Sequence, residues 1–324
     1  MIDTTDDITP LISVCIPAYK NVPFLRRLLD SLRRQTFANF EIIITDDSPD
    51  DRILDFLAAY SIEQPVSYYK NPAPLGTPAN WNEAISRAKG TWIKLMHDDD
   101  WMASDRALDL FVQEVKQNPA ASFIFCAFNN VFSPDGRVEK SGVSPRKLRR
   151  LKKAPAELLA GNIIGPPSVT LCKKDIALLY DTRLKWLVDI EYYLRVLKQH
   201  EFAFIDKPLV NIGVSGEQVT KYSFGIKEVE LPEYLHVLEI HGMILLKNIR
   251  VYDAYWRMLR NLNVGEADIV SWQKKYPGEN VLVSMTRWQK KMPARLLRMG
   301  IVSKVIMTLH FILHRSRLKM VPGK

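Results

Sequence analysis

The chain has 324 residues, 47% hydrophobic and 25% charged, an ordinary globular composition with enough apolar material for one large domain or two smaller ones. Cys15, Cys126 and Cys172 lie in apolar, strand-like runs without metal-ligand spacing, which argues for buried free thiols and against a disulfide framework. The net charge of +9 is uneven: ten Lys and Arg and no acid follow Glu279, leaving 35 basic against 36 acidic residues before it. A neutral body with a basic apolar tail points to an anionic membrane surface, whereas nucleic acid would call for a uniformly basic face or a binding motif, and neither is present.

The first residues are acidic and lack an apolar segment, so no secretory signal is expected. Leu11 to Ile16 is an apolar run of strand length stopped by Pro17, and Leu25, Leu28, Leu29 and Leu32 then recur at helical spacing up to Gln35. Phe40 to Thr45 predicts a second strand ending on Asp46 and Asp47. A short helix over Ile53 to Tyr60, a strand over Val66 to Tyr69 and a helix over Asn80 to Ala88 follow, the last opening after the loop Asn71 to Pro78. Trp92 to Met96 is a fourth strand, Asp105 to Gln117 a helix and Ser122 to Phe128 a further strand, with Ser133 to Gly136 as a hairpin turn. Strands alternating with helices in this way imply right-handed crossovers and a mostly parallel α/β sheet covered on both faces.

Beyond the turn, Pro145 to Lys153 carries six cations in nine positions, readable as a solvated helix face or as a loop over a site or lipid. Asp189 to Gln199 predicts a helix, and Phe202 to Ile205 with Leu209 to Ile212 predict two short strands. After Gly225 the alternation stops. The remainder is predicted helical, broken at Gly265, Pro277-Gly278 and Pro293. The expected organisation is residues 1–225, with halves of about 1–130 and 131–225, then a helical region over 226–324.

The chemistry-bearing stretch is Gly90 to Ser104, where the Trp92 strand runs into Asp98, Asp99 and Asp100. Neighbouring carboxylates repel by about 1 kcal/mol in water and several-fold more in a partly dry cleft, so such a cluster invites a divalent cation, Mg²⁺ or Mn²⁺ by the hardness of its oxygens. In an open parallel sheet, ligands bind beyond the carboxyl ends of the strands. The competing reading is an acidic solvated turn before a helix.

Five stretches in order carry a resemblance: Ile12-Ser13-Val14-Cys15-Ile16-Pro17-Ala18-Tyr19, Leu32-Arg33-Arg34-Gln35-Thr36, Phe40 to Ser48, Gly76 with Asn82, and Gly90-Thr91-Trp92-Ile93 with its acids. The chain resembles the family-2 inverting glycosyltransferases of the GT-A fold over roughly Leu11 to Ser223. The resemblance implies a nucleotide-diphospho-sugar site in which Pro17, Ala18 and Tyr19 wall the base and Asp47 accepts from uracil. Asn82, Asp98 and Asp99 complete that site, and Asp99 and Asp100 hold the Mn²⁺ or Mg²⁺. His97 stands where the family's usual Asp-x-Asp has its first acid, as a supporting imidazole or a ligand. Asp189, in Trp186 to Arg195, matches the base that takes the acceptor hydroxyl's proton, although an Asp there also suits a helix cap. Glu191 is its runner-up, and Trp186 and Ser168 fall on the acceptor side. The family's Arg-x-His is missing after Leu209, with Ser215, Gln218, Thr220 or Lys221 as stand-ins.

The resulting expectation is a metal-dependent transfer from a UDP-sugar to a glycan or lipid-linked acceptor in surface polysaccharide or lipid-linked oligosaccharide synthesis. A non-catalytic nucleotide-sugar-binding scaffold on the same fold is the alternative. A nucleotidyltransferase would need a Gly-rich phosphate loop near the first strand, and the sequence has none there. The apolar stretch Met299 to Leu313, flanked by Arg295, Arg298, Arg315, Arg317 and Lys319, is too short to span a bilayer. It predicts either peripheral contact with the inner face of the cell membrane from the cytoplasm or packing on the body.

Overall fold

The computed structural model describes residues 9–176, 178–214, 225–273 and 281–318. The possible stand-ins Ser215, Gln218, Thr220 and Lys221, and the break at Pro277-Gly278, lie outside them. The described residues divide into two compact units, one of 9–148, 163–182 and 192–214, the other of 149–162, 183–191 and 225–318.

The first unit is built on one mixed sheet. Its first strands and helices are β1 (Ile12–Ala18), α1 (Val22–Arg33), β2 (Phe40–Asp46), α2 (Arg52–Ala58), β3 (Val66–Lys70), α3 (Ala79–Ser86) and β4 (Trp92–Leu95). Strands β3, β2, β1 and β4 lie side by side and parallel. Beyond β4 come β8 (Thr170–Lys173) and β6 (Ala121–Phe132), each antiparallel to the strand before it. Then come β9 (Glu201–Val214), parallel to β6, and β5 (Trp101–Met102), antiparallel to β9. The hairpin partner β7 (Val138–Ser141) hangs on β6 across the expected turn, and α4 (Ala107–Gln117) links β5 to β6.

Two expectations change. Pro17 lies inside β1, which runs on to Ala18. Odd-numbered residues of β1 face β4, as the Trp92 N to Leu11 O and Met96 N to Cys15 O bonds show, and the β1–β4 ladder ends at Cys15. The N–H that Pro17 lacks would therefore point where no neighbouring strand remains. The two short strands over 202–212 are one strand, β9, which keeps its pairing with β6 through an irregularity between Ile205 and Pro208. A bulge absorbs the Asp206-Lys207-Pro208 interruption that looked like a break in the sequence.

Strand β1 is buried at every position, as is β2. The buried Glu41 of β2 accepts from Ser13 Oγ at 2.6 Å and from Lys89 N at 2.7 Å, while Ser13 Oγ accepts from Gly90 N at 2.7 Å. This relay fixes the lead-in to β4 against β1 and β2. Cys15, Cys126 and Cys172 are buried free thiols, as expected.

Helix α5 (Pro145–Lys153) takes up the six-cation run, and α6 (Val188–Leu197) the segment after Trp186. The second unit continues with helices α7 (Lys227–His241), α8 (Ile249–Asn261), α9 (Glu266–Gln273), α10 (Val281–Lys290), α11 (Ala294–Arg298) and α12 (Gly300–His314). Its core holds the fully buried Tyr252, Tyr255 and Trp256 of α8. Helix α12 packs one face inward through Ser303, Ile306, Met307, His310 and Phe311. That face is pinned by directed bonds: Trp256 Nε1 donates to Ser303 Oγ at 3.1 Å, and Tyr252 Oη meets His310 Nδ1 at 2.6 Å. His314 Nδ1 bonds the His310 carbonyl at 2.9 Å, so it carries the proton, and its Nε2 accepts from Ser284 Oγ at 3.1 Å. Ser284 in turn accepts from His310 Nε2 at 2.9 Å, which leaves His310 Nδ1 to accept from Tyr252. Burial pushes the His310 imidazole down to about 4, in keeping with this uncharged chain.

Replacing Glu41 with Ala strands the Ser13 hydroxyl in the interior and takes the acceptor from the part-buried Lys89 N–H. Denaturant unfolding of Glu41→Ala should show a loss of about 2 kcal/mol relative to wild type.

Candidate active site

Because β1, β2 and β4 are parallel, their carboxyl ends share one edge, and the expected donor-side residues gather there. Asp47 follows β2 directly, and its N–H donates to Ala18 O at 3.1 Å. Its carboxylate is buried and accepts from Asn71 Nδ2 at 2.7 Å, Leu75 N at 3.0 Å and Gly76 N at 2.8 Å. Gly76 sits at φ +71°, a backbone that side chains other than glycine's strain to reach. The loop over 71–76 is thus folded around Asp47, which offers about four acceptor positions and spends three on its own chain. Asp46 is likewise engaged, by Ser48 N, Tyr68 Oη and Lys70 Nζ.

Strand β4 delivers His97, Asp98, Asp99 and Asp100 to the same edge. Asp98 Oδ2 accepts from Tyr19 N at 3.1 Å, tying the acidic loop to the end of β1, and the Tyr19 ring is half exposed. Burial and then the neighbouring Asp99 push the Asp98 carboxyl up to about 7. Burial also raises Asp99, opposed by the Arg27 guanidinium, and raises Asp100 well above the usual carboxylate range, with Asp99 adding to it. One ligand atom each from His97, Asp99 and Asp100 lies within 4.8 Å of the others. Among the described residues the buried His97 Nε2 meets no hydrogen-bond partner, and burial, followed by the charge of Lys94, holds the ring down to about 4, uncharged. His97 Nδ1 lies 3.9 Å from Asp100 Oδ2, and an uncharged imidazole grouped with two carboxylates that resist ionisation fits a hard divalent cation, which His97, Asp99 and Asp100 would hold.

Three residues outside the expected set, together with Ser168, hold this loop. Lys94 is fully buried in β4, donates to the Ser168 carbonyl and has its pKa lowered to about 8 by burial. Ser168 Oγ accepts from His97 N at 3.0 Å and also bonds Asp100. Arg27, stacked 3.7 Å over Trp101, donates to the Asp99 carbonyl at 2.6 Å. Gly213 N donates to Asp100 Oδ1 at 3.1 Å, and a Cβ on Gly213 would lie 2.5 Å from the Asp99 carbonyl. Two of these left a trace in the sequence: a lysine in the middle of an apolar strand and a glycine inside another.

Several expected roles are revised by these contacts. Ser168, expected on an acceptor wall, is fully buried and serves the acidic loop instead. Asn82 spends its amide on the backbone of Tyr180, giving at 2.8 Å and accepting at 2.8 Å. Glu191 is fully buried 3.3 Å from His241 Nε2, so it does not present itself to an acceptor. Asp189 is not a helix cap: Leu187 holds that position, its carbonyl accepting from Glu191 N at 2.8 Å, and Asp189 is the second residue of α6. The Asp189 carboxylate accepts from Asn162 Nδ2 at 2.7 Å and from Ile190 N at 2.8 Å. Burial is the main cause that pushes it up to about 6. Trp186 is half-buried, its N–H donating to Glu233. Asp189, Glu191 and Trp186 belong to the second unit; the Asp47 loop, the acidic loop and Ser168 belong to the first.

Residues 13–173 match the profile of Glycosyl transferase family 2. An uncharacterized glycosyltransferase of Haemophilus influenzae is 28% identical over 213 residues, 61% of this chain and 67% of that protein. The hyaluronan synthase of Pasteurella multocida is 24% identical over 219 residues, 68% of this chain but only 22% of the synthase. Among solved structures, residues 1–349 of Staphylococcus aureus TarS in complex with UDP-GlcNAc superpose with a TM-score of 0.58 at 15% identity, covering 97% of this chain and 95% of that one.

A methyl group at Gly213 must displace the backbone of the acidic loop. Gly213→Ala should therefore cost about 1–3 kcal/mol in thermal or denaturant unfolding.

Proposed function

We propose that this chain, which belongs to glycosyltransferase family 2 and has the GT-A fold, moves a sugar with inversion from a UDP-sugar to an acceptor hydroxyl in surface polysaccharide or lipid-linked oligosaccharide synthesis. The observation that carries the proposal is the grouping of His97, Asp99 and Asp100 at the end of β4, on the same sheet edge as the Asp47 loop. The relatives supply the polysaccharide context, and TarS, crystallised with UDP-GlcNAc, supplies the donor class.

Asp47, with one acceptor position left beside Asn71, Leu75 and Gly76, receives the ring N–H of uracil, and Pro17, Ala18 and Tyr19 border the base. His97, Asp99 and Asp100 would hold Mn²⁺ or Mg²⁺, which when bound supplies Lewis-acid stabilisation of the charge that grows on the departing diphosphate. Asp98 anchors the Tyr19 turn. Asn82 acts indirectly, by fixing the backbone at Tyr180. Asp189 accepts the proton of the acceptor hydroxyl as its oxygen bonds the sugar C1 and the C1 bond to the diphosphate breaks, a single displacement that needs one base. A carboxyl near 6 suits this work: below that value it is protonated and idle, above it free to accept. The transfer rate should therefore climb as pH rises through about 6 and then level.

The acceptor is proposed to lie at a membrane. Among the described residues no helix is long and apolar enough to cross one. Yet α12 turns Ile301, 83% exposed, together with Val305, Leu309, Ile312 and Leu313, away from the core, with Arg295, Arg298, Lys304 and Arg315 exposed around them. An apolar stripe edged with cations suits the interface of an anionic bilayer.

Two substitutions test the chemistry. Asp99→Ala should remove the Mn²⁺ dependence of UDP binding measured by calorimetry, and Asp189→Asn should lower transfer about 100-fold or more with UDP affinity unchanged. Transfer at the wild-type rate by Asp189→Asn would exclude it as the base. For the membrane contact, the triple change Ile301→Glu, Val305→Glu, Leu309→Glu should abolish co-flotation with anionic vesicles and leave the fold intact, since all three residues are more than half exposed. Undiminished flotation would count against α12 as the contact.

A further inference from the structure

We infer that Glu233 of α7 is the positioning residue that sets both the place and the basicity of Asp189; the inference rests on Asp189 being the base proposed above. The stretch before α6 presents a run of backbone donors that its own sequence cannot satisfy. Its cap position is Leu187, whose side chain has no acceptor, and Trp186 and Lys185 before it have none either. Glu233 supplies the missing acceptors from 46 residues away: one carboxylate oxygen takes Lys185 N at 2.8 Å, the other takes Trp186 N at 2.9 Å and Leu187 N at 2.8 Å. Glu233 is 5% exposed, so these are buried charge-assisted bonds. They fix the chain up to the residue before α6, and Asp189 is the second residue of that helix.

Location is one consequence and charge is the other. The start of a helix carries partial positive charge that draws a nearby carboxyl toward lower pKa and makes it a poorer base. Glu233 places a negative charge just before that start, on the N–H groups of Lys185, Trp186 and Leu187. It also acts on Asp189 directly, raising its pKa alongside burial, which is the larger cause. The remaining groups facing Asp189 are the Asn162 amide and the Ile190 N–H, both of which favour its charged form; Lys185 acts on Glu233, and Glu191 is engaged with His241. Among the described residues, Glu233 is the charged group with the largest effect on Asp189. The residue lies well beyond the segment, 13–173, that the family profile spans.

Steady-state kinetics of the full chain, with donor binding measured separately, tests this. Glu233→Gln keeps an acceptor oxygen and removes the charge; its acidic limb in the kcat profile should move to lower pH by about half a unit, with UDP affinity in Mn²⁺ unchanged. Glu233→Ala, losing both, should lower kcat about tenfold or more, and Glu233→Asp should recover part of that loss. A wild-type kcat and an unmoved acidic limb in Glu233→Gln, while Asp189→Asn is inactive, would overturn the role of Glu233 and leave Asp189 as base. A fully active Asp189→Asn would overturn the base itself. UDP affinity falling in step with kcat would reduce Glu233 to a general support of the fold. If Glu233→Ala does not fold, the pH profile of Glu233→Gln decides alone.

Discussion

Three consecutive carboxylates at the end of a buried strand are the constraint on which the rest of the first unit depends. Left to burial, Asp98, Asp99 and Asp100 all resist ionisation, and the surrounding chain is arranged to hold them there nonetheless. Arg27 grips the backbone from one side and Gly213 presses against it from another, while Lys94 puts a cation beneath by way of Ser168. Such a loop is costly as a resting surface and sensible as a receptacle: the free energy withheld from the carboxylates in isolation becomes available when positive charge enters. His97 belongs to this arrangement. In place of a fourth acid it offers an uncharged nitrogen, which limits the repulsion the loop must bear.

The parallel half of the sheet brings further turns to the same edge. Because β1, β2 and β4 end together, a turn after each can contribute to one place without any long excursion of the chain, and the Glu41–Ser13–Gly90 relay fixes the register in which they do so. Asp47 illustrates how thoroughly such an edge is organised. Its carboxylate holds the loop over 71–76 through three accepted hydrogen bonds.

Much of this half was legible in the sequence, since its information is local. Apolar runs of strand length, a helical repeat of leucines after β1 and acids at strand ends are patterns within a few residues, and they placed β1 to β4 and the acidic loop closely. What was not legible depends on distant partners. No local signal says that Ser168 lies beneath His97, that Asn82 clasps Tyr180, or that the cap of α6 comes from Glu233, because each is a pairing across 46 to 98 residues. The same limit left a cap open as the alternative reading of Asp189: a helix start and an aspartate suit a cap, and only the supply of acceptors from α7 shows that the cap is elsewhere. The interruption in β9 misled for a different reason, since the pairing of neighbours carries a strand through a proline that sequence treats as a stop.

Helix α12 combines an oily outer stripe with an inner face held by hydrogen bonds rather than by grease alone. Oil against oil is nearly indifferent to rotation, and a helix apolar all round would be free to roll, exchanging the side chains it hides for those it shows. The Tyr252–His310–Ser284–His314 chain and the Trp256–Ser303 bond allow one azimuth only. Rotational indexing of this kind keeps Ile301, Val305 and Leu309 facing outward as one ordered ridge, so that whatever surface the protein settles on always meets the same side of it.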